Sequence, residues 1–144
     1  MRNILFRAKK ENKKWIYGYY YKIRNNVYIL RGGIGRKPRI IKILQNTLGQ
    51  YTGCKDIRGK KIYEGDIVIT NEFGSVIGNH FDFSGFDTFI VMYDNGFCLQ
   101  NGERKYSLEN NISLEVHDNI HDNPKLANAI LSLRWERCVH NIDI

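Results

Sequence analysis

Residues 48–68 read Leu-Gly-Gln-Tyr-Thr-Gly-Cys-Lys-Asp-Ile-Arg-Gly-Lys-Lys-Ile-Tyr-Glu-Gly-Asp-Ile-Val, and this stretch restricts the fold more than any other. Gly49, Gly53, Gly59 and Gly65 punctuate it, Asp56 and Asp66 accompany them, and it closes on β-branched Ile67-Val68. Glycine reaches positive φ without strain, and an aspartate side chain bonds the backbone two residues on. The pattern therefore predicts back-to-back turns feeding a strand, with Asp56-Ile57-Arg58-Gly59 as one tight turn and Glu64-Gly65-Asp66 as a second. It describes an architecture and names no reaction.

The flanks agree with a β-rich chain. Ile4–Ala8 predicts a first strand, the polar run Lys9–Lys14 a solvated turn, and Trp15–Tyr21 the returning arm of a hairpin. Val27–Leu30 and Arg39–Leu44 follow, separated by the glycine-rich break at Gly32–Gly35. Asn71–Gly85 lacks apolar periodicity and reads as a long loop. Thr88–Tyr93 and Phe97–Leu99 form the strongest hairpin signal, joined by Asp94-Asn95-Gly96, where Asn-Gly suits a type I′ turn. Ile112–Val116 alternates as a half-buried strand. One helix is expected, capped by Asp122 or Asn123, with Pro124 in its first turn and Leu126, Ile130 and Leu133 on one face. Trp135 extends that face or packs just beyond it, and the tail after Arg137 reads as irregular.

With 144 residues the chain makes one domain, or two subdomains divided near residue 47. A chain of this length buries roughly two-thirds of its unfolded surface and needs no metal or disulfide staple. Cys54, Cys98 and Cys138 are odd in number and motif-free in spacing, which suits reduced thiols in a cytoplasm. Met1–Ala8 has no apolar h-region, and no window is long and apolar enough for a membrane span.

Charge is divided unequally. Residues 1–63 hold 17 Lys+Arg against Glu11 and Asp56, a balance of +15; residues 64–144 hold 5 against 13, a balance of −8. Either the basic half faces a polyanion, or the two halves neutralise one another within the fold or between subunits. For the first case the candidate phosphate contacts are Lys13, Lys14, Arg36, Lys37, Arg39 and Lys42, with Tyr17, Tyr19 or Tyr21 stacking on bases. Consecutive tyrosines on a strand alternate faces, so some of them belong to a core.

Other motifs carry less. Gly32-Gly33-Ile34-Gly35-Arg36-Lys37 offers bare amides and cations, yet it has neither Walker A spacing nor the dinucleotide fingerprint. His117 and His121 lie four apart beside carboxylates, but Asn119 and Asn123-Pro124 disfavour the helix that would align them, and no third ligand stands out. A polar connection between strand and helix is the plainer reading. No nucleophile elbow, zinc-protease or kinase signature is present, so the expectation is a non-enzymatic protein without cofactor or metal.

The segment Gly49–Val68 resembles the signature of the YopX family of phage and prophage proteins, G-Q-Y-T-G-L-x-D-x-x-G-x-x-I-Y-E-G-D-I-V. Ile120–Leu126 is similar to that family's downstream N-I-Y-E-N-P-E-L element, and Phe6-Arg7-Ala8 to its opening. The resemblance implies a β-rich protein of the bacterial cytoplasm made from phage-type genes, and no assigned activity. Cys54 stands where the family usually shows Leu, which makes it a small buried hydrophobe, and His121 stands where Tyr is usual.

The expected fold is therefore mainly β (α+β): a curled antiparallel sheet, or by analogy with Gly-Asp turns a small SH3-like barrel, with one C-terminal helix. The expected role is a phage accessory protein that self-associates or binds a protein partner, with no membrane association. The alternative is a nucleic-acid binder that uses the basic N-terminal half.

Overall fold

A computed structural model describes residues 4–32, 35, 37–70, 88–108 and 113–132. Eleven strands and one helix are formed among them: β1 (Phe6–Lys9), β2 (Trp15–Ile23), β3 (Asn26–Arg31), β4 (Arg39–Lys42), β5 (Leu44–Lys55), β6 (Lys61–Tyr63), β7 (Asp66–Ile69), β8 (Thr88–Tyr93), β9 (Phe97–Asn101), β10 (Arg104–Ser107), β11 (Glu115–Asn119) and α1 (Pro124–Leu131). The chain divides into two compact units, Met1–Gly53 and Cys54–Ile144. The boundary lies inside β5, at Gly53, which takes φ +89°.

The strands are mainly antiparallel neighbours in two sheets, ordered β4-β3-β2-β1-β5-β6 and β10-β9-β8-β7-β11. This corrects the expectation of a curled sheet or small SH3-like barrel. Closure requires the outermost strands to pair with each other, whereas β4 and β6 end one sheet and β10 and β11 end the other, and neither sheet is strongly curled. The glycine-rich centre is also less turn-like than its composition suggests. Gly49 lies buried in β5 opposite Arg7, so the first half of the segment is strand, and only Asp56–Gly59 and Glu64–Gly65 turn the chain. Gly59 and Gly65 take φ +81° and +92°, as the turns require.

In the first unit, Ala8, Ile16, Ile29 and Ile43 are buried together, and Phe6, Val27, Ile41 and Leu48 pack against them. These residues alternate along their strands, so one face of β1, β2 and β3 makes the core. Gly18 permits a close approach there: a Cβ on it would lie 2.5 Å from the Leu30 carbonyl oxygen and 2.7 Å from Ile29 Cγ2. Where the β1–β5 register shifts between Arg7 and Lys9, Thr47 Oγ1 donates to the Leu44 carbonyl (2.6 Å) and accepts from Lys9 N–H (2.8 Å). The hydroxyl thus satisfies backbone groups that the shifted ladder leaves over.

In the second unit the sheet is covered on both faces. Val68, Phe89, Val91 and Leu99 point to one side with Ile62 and Leu114, and Cys54 packs on that cluster while only half-buried, not fully buried as its family position implied. Ile67 and Ile90 point to the other side, against Ala127 and Ile130 of α1. Phe89 meets Tyr106 edge-on, with ring centroids 5.7 Å apart. The helix begins as its sequence indicates: Asn123 Oδ1 accepts from Leu126 N–H, and Pro124 fills the first position. Asp94, Asn95 and Gly96 join β8 to β9, with Tyr93 opposite Phe97, and Asn95 and Gly96 both take positive φ. The strand expected from Ile112 instead runs Glu115–Asn119, paired with β7. The expected loop at 71–85, Ile112, Leu133, Trp135 and the tail lie outside the described residues.

Candidate functional site

The best candidate is built by the first unit. Met1–Gly53 carries 13 Lys+Arg against one acid, Glu11, a balance of +12. Glu11 meets Lys42 at 3.5 Å, with both side chains about three-quarters exposed, so solvent screens the pair.

Of the cations expected from the sequence, Lys13 and Lys14 sit in the β1–β2 turn, where Lys13 takes φ +70° and Lys14 N–H donates to Asn12 Oδ1. Lys37 precedes β4, Arg39 opens it and Lys42 closes it; Arg36 lies outside the described residues. Lys13, Lys14, Lys37, Arg39 and Lys42 are exposed, and among the described residues only Lys42 has an acidic partner. The ladder adds a cation that sequence reasoning did not single out. Arg31 is directly opposite Arg39, and both are exposed. Like charges opposite one another across strands work against pairing. The signal was present in the sequence: Arg31 and Arg39 flank the glycine-rich hairpin symmetrically about Gly35.

The face of β2 turned away from the core presents Tyr17, Tyr19, Tyr21 and Ile23, exposed by 47%, 52%, 38% and 42%. The ladder extends this face sideways: Tyr17 is opposite Arg7, Tyr19 is opposite Leu30, which is opposite Ile40, and Tyr21 is opposite Tyr28, which is opposite Lys42. Ile40 is 49% exposed. Tyr20 alternates to the core side, where its ring lies 5.4 Å from that of Phe6. Beside the row, the Arg7 guanidinium lies 4.6 Å and Lys9 Nζ 5.4 Å from the Trp15 ring centroid. Aromatic rings, aliphatic side chains and the Lys42 cation thus share one exposed surface, whereas Arg7, at its β1 margin, is buried.

Residues of the second unit are occupied structurally. Asp56 Oδ1 accepts from Arg58 and Lys60 N–H, and Oδ2 accepts from Val116 N–H, at 2.8–3.0 Å. Burial opposes its ionisation, but these three donors and the Lys60 charge outweigh it and hold the carboxyl below its ordinary value. Burial pushes the Cys98 thiol up. The histidine segment forms the end of β11 and a turn. Asn119 Oδ1 accepts from His121 and Asp122 N–H, Asn119 Nδ2 donates to Asp122, and Asp118 accepts from Asn123 Nδ2. Among the described residues no three His, Cys, Asp or Glu side chains converge as a metal site.

The turns at Asp56 and Gly65 carry out structurally what the central signature encodes, and residues 5–128 match the YopX protein family. The chain belongs to the YopX family. Its YopX match includes both the tyrosine strand and the Asp56 turn, and it identifies the protein as one of phage or prophage type. No curated protein matches the chain. The YopX chain is similar to the crystal structure of protein EF1440 from Enterococcus faecalis, at 20% identity over 88% of this chain and 99% of that one, with a TM-score of 0.53. At that identity the likeness concerns the fold. Among the described residues no helix is long and apolar enough to cross a membrane.

Proposed function

We propose that this YopX-family protein is a non-enzymatic phage or prophage accessory protein whose first unit binds nucleic acid. The observation that carries this reading is the Arg31–Arg39 pair: two exposed guanidiniums opposite each other, in a unit with one carboxylate, which is engaged elsewhere. An arrangement that costs folding energy in isolation becomes favourable once phosphates lie between the cations. Lys13, Lys14 and Lys37 add exposed charge to the same unit. Each phosphate neutralised releases counterions, so affinity falls steeply with salt.

Fluorescence anisotropy with labelled DNA and RNA tests this. Affinity drops at least about tenfold between low and physiological salt, and the Arg31→Glu/Arg39→Glu variant flattens that dependence. No binding at low salt removes the proposal.

A second reading rests on the opposite charge of the two units. Cys54–Ile144 carries 9 Lys+Arg against 14 Asp+Glu, a balance of −5 that complements the +12 of Met1–Gly53. Copies, or an acidic protein partner, would associate through these opposed surfaces. Light scattering across a salt series shows assembly that dissolves as ionic strength rises; a monomer at every ionic strength excludes self-association.

A further inference from the structure

We infer that the exposed face of β2 is a base-stacking row selective for single-stranded over duplex nucleic acid, with Tyr17, Tyr19 and Tyr21 as its rungs. The inference rests on the nucleic-acid reading above and goes further by naming the form of the ligand. Cations alone suit any polyanion, but this face is not made of cations alone. Three tyrosines, each more than a third exposed, occupy alternate positions of one strand, and Leu30, Ile40 and Tyr28 continue the face across β3 and β4. Apart from its phenol hydroxyls, such a surface offers phosphates neither charge nor hydrogen bonds.

Bases match it. Same-face residues on a strand are about 6.7 Å apart, or two stacking steps of about 3.4 Å, ring to base and base to next ring, so one base fits between successive rings. A duplex conceals its base faces in the stack, whereas a single strand presents them, and stacking on an aromatic side chain tolerates any base. Charge decides between this occupant and an apolar protein surface. The row's own face carries exposed Lys42 opposite Tyr28, and exposed Lys13, Lys14 and Lys37 lie in the turn before β2 and just before β4, whereas Arg31 and Arg39 alternate with Leu30 and Ile40 onto the other face. Those lysines would be costly to bury against a neutral partner but are required beside a phosphate chain. Rings along β2, with Lys42 on the same face and lysines at the adjoining connections, form a surface on which bases lie inward and the backbone follows the charge.

The test uses the full chain at low salt and four labelled ligands: an oligothymidine of roughly a dozen nucleotides, its uridine RNA counterpart, an abasic strand with equal phosphates, and a duplex of equal length. Both base-bearing single strands bind at least about tenfold more tightly than the abasic strand and the duplex. Tyr17→Ser/Tyr19→Ser/Tyr21→Ser lowers base-bearing strands to the abasic level and leaves abasic affinity unchanged. If circular dichroism shows that the triple variant fails to fold, Tyr19→Ser alone costs about tenfold toward the base-bearing strands. Equal binding of base-bearing and abasic strands overturns the stacking row while the nucleic-acid reading stands. No binding of any ligand overturns both. A tyrosine variant that changes the sedimentation state but not oligonucleotide affinity overturns the row and marks the face as a contact between copies.

Discussion

Asp56 shows how one side chain can organise a turn and a distant strand together. Its two carboxylate oxygens collect N–H groups from Arg58 and Lys60 within the turn and from Val116, sixty residues away. Truncation to alanine leaves three donors without that acceptor, and Asp56→Ala should lose about 3 kcal/mol in denaturant unfolding near neutral pH. Asp56→Asn should lose less, since it keeps one acceptor. The sign with pH follows from the depressed carboxyl. The folded state prefers the ionised form, so the contribution is fully present above the ordinary value of 3.8 and fades as pH falls through the lower folded value. The gap between wild type and Asp56→Ala should therefore narrow on acidification below that point. A gap independent of pH would show that the charge contributes nothing.

At the scale of elements, α1 illustrates agreement between local and tertiary signals. It has only eight residues, too few to be stable in water alone, and its stability comes from the cap and from Ala127 and Ile130 packed on Ile67 and Ile90. The cap is doubly connected, because Asn123 accepts from Leu126 N–H and donates to Asp118 at the end of β11. Asn123→Ala should cost about 1–2 kcal/mol, seen as a lower melting temperature with the strand signal of the folded state retained. Asn123→Asp, which keeps the cap acceptor but sets a second carboxylate against Asp118, should fall between the two. Substitutions that leave melting unchanged would mean that packing alone fixes the helix.

For the whole molecule the uneven charge is decisive. Thirteen cations against one carboxylate in Met1–Gly53 repel one another in free protein, and the repulsion is screened over about 10 Å at 0.1 M salt. Raising sodium chloride from dilute buffer to about 0.2 M should therefore raise the melting temperature by about 3 °C, the shift that ~1 kcal/mol produces at this size. A fall in melting temperature would show that the attraction of opposite charges outweighs the repulsion. The same salt weakens nucleic-acid binding, so stability and affinity should move in opposite directions across one titration.

The amino-acid sequence alone determined the features that depend on local backbone chemistry: a mainly β chain, the Asp56 and Gly65 turns, the strand ends around Asp94–Gly96, and the capped start of α1. Positive φ, side-chain caps and alternating polarity act over a few residues, so their effects can be read in order along the chain. The same locality leaves the place of Gly49 undetermined, since it lies in β5 paired with Arg7, far away in sequence. Tertiary structure decided that the sheets stay open, that Arg31 faces Arg39, and that Tyr17, Tyr19 and Tyr21 remain outside while Ile16 and Gly18 go in. Those outcomes depend on which strands become neighbours and in what register, and a shift of one residue would exchange the two faces of β2.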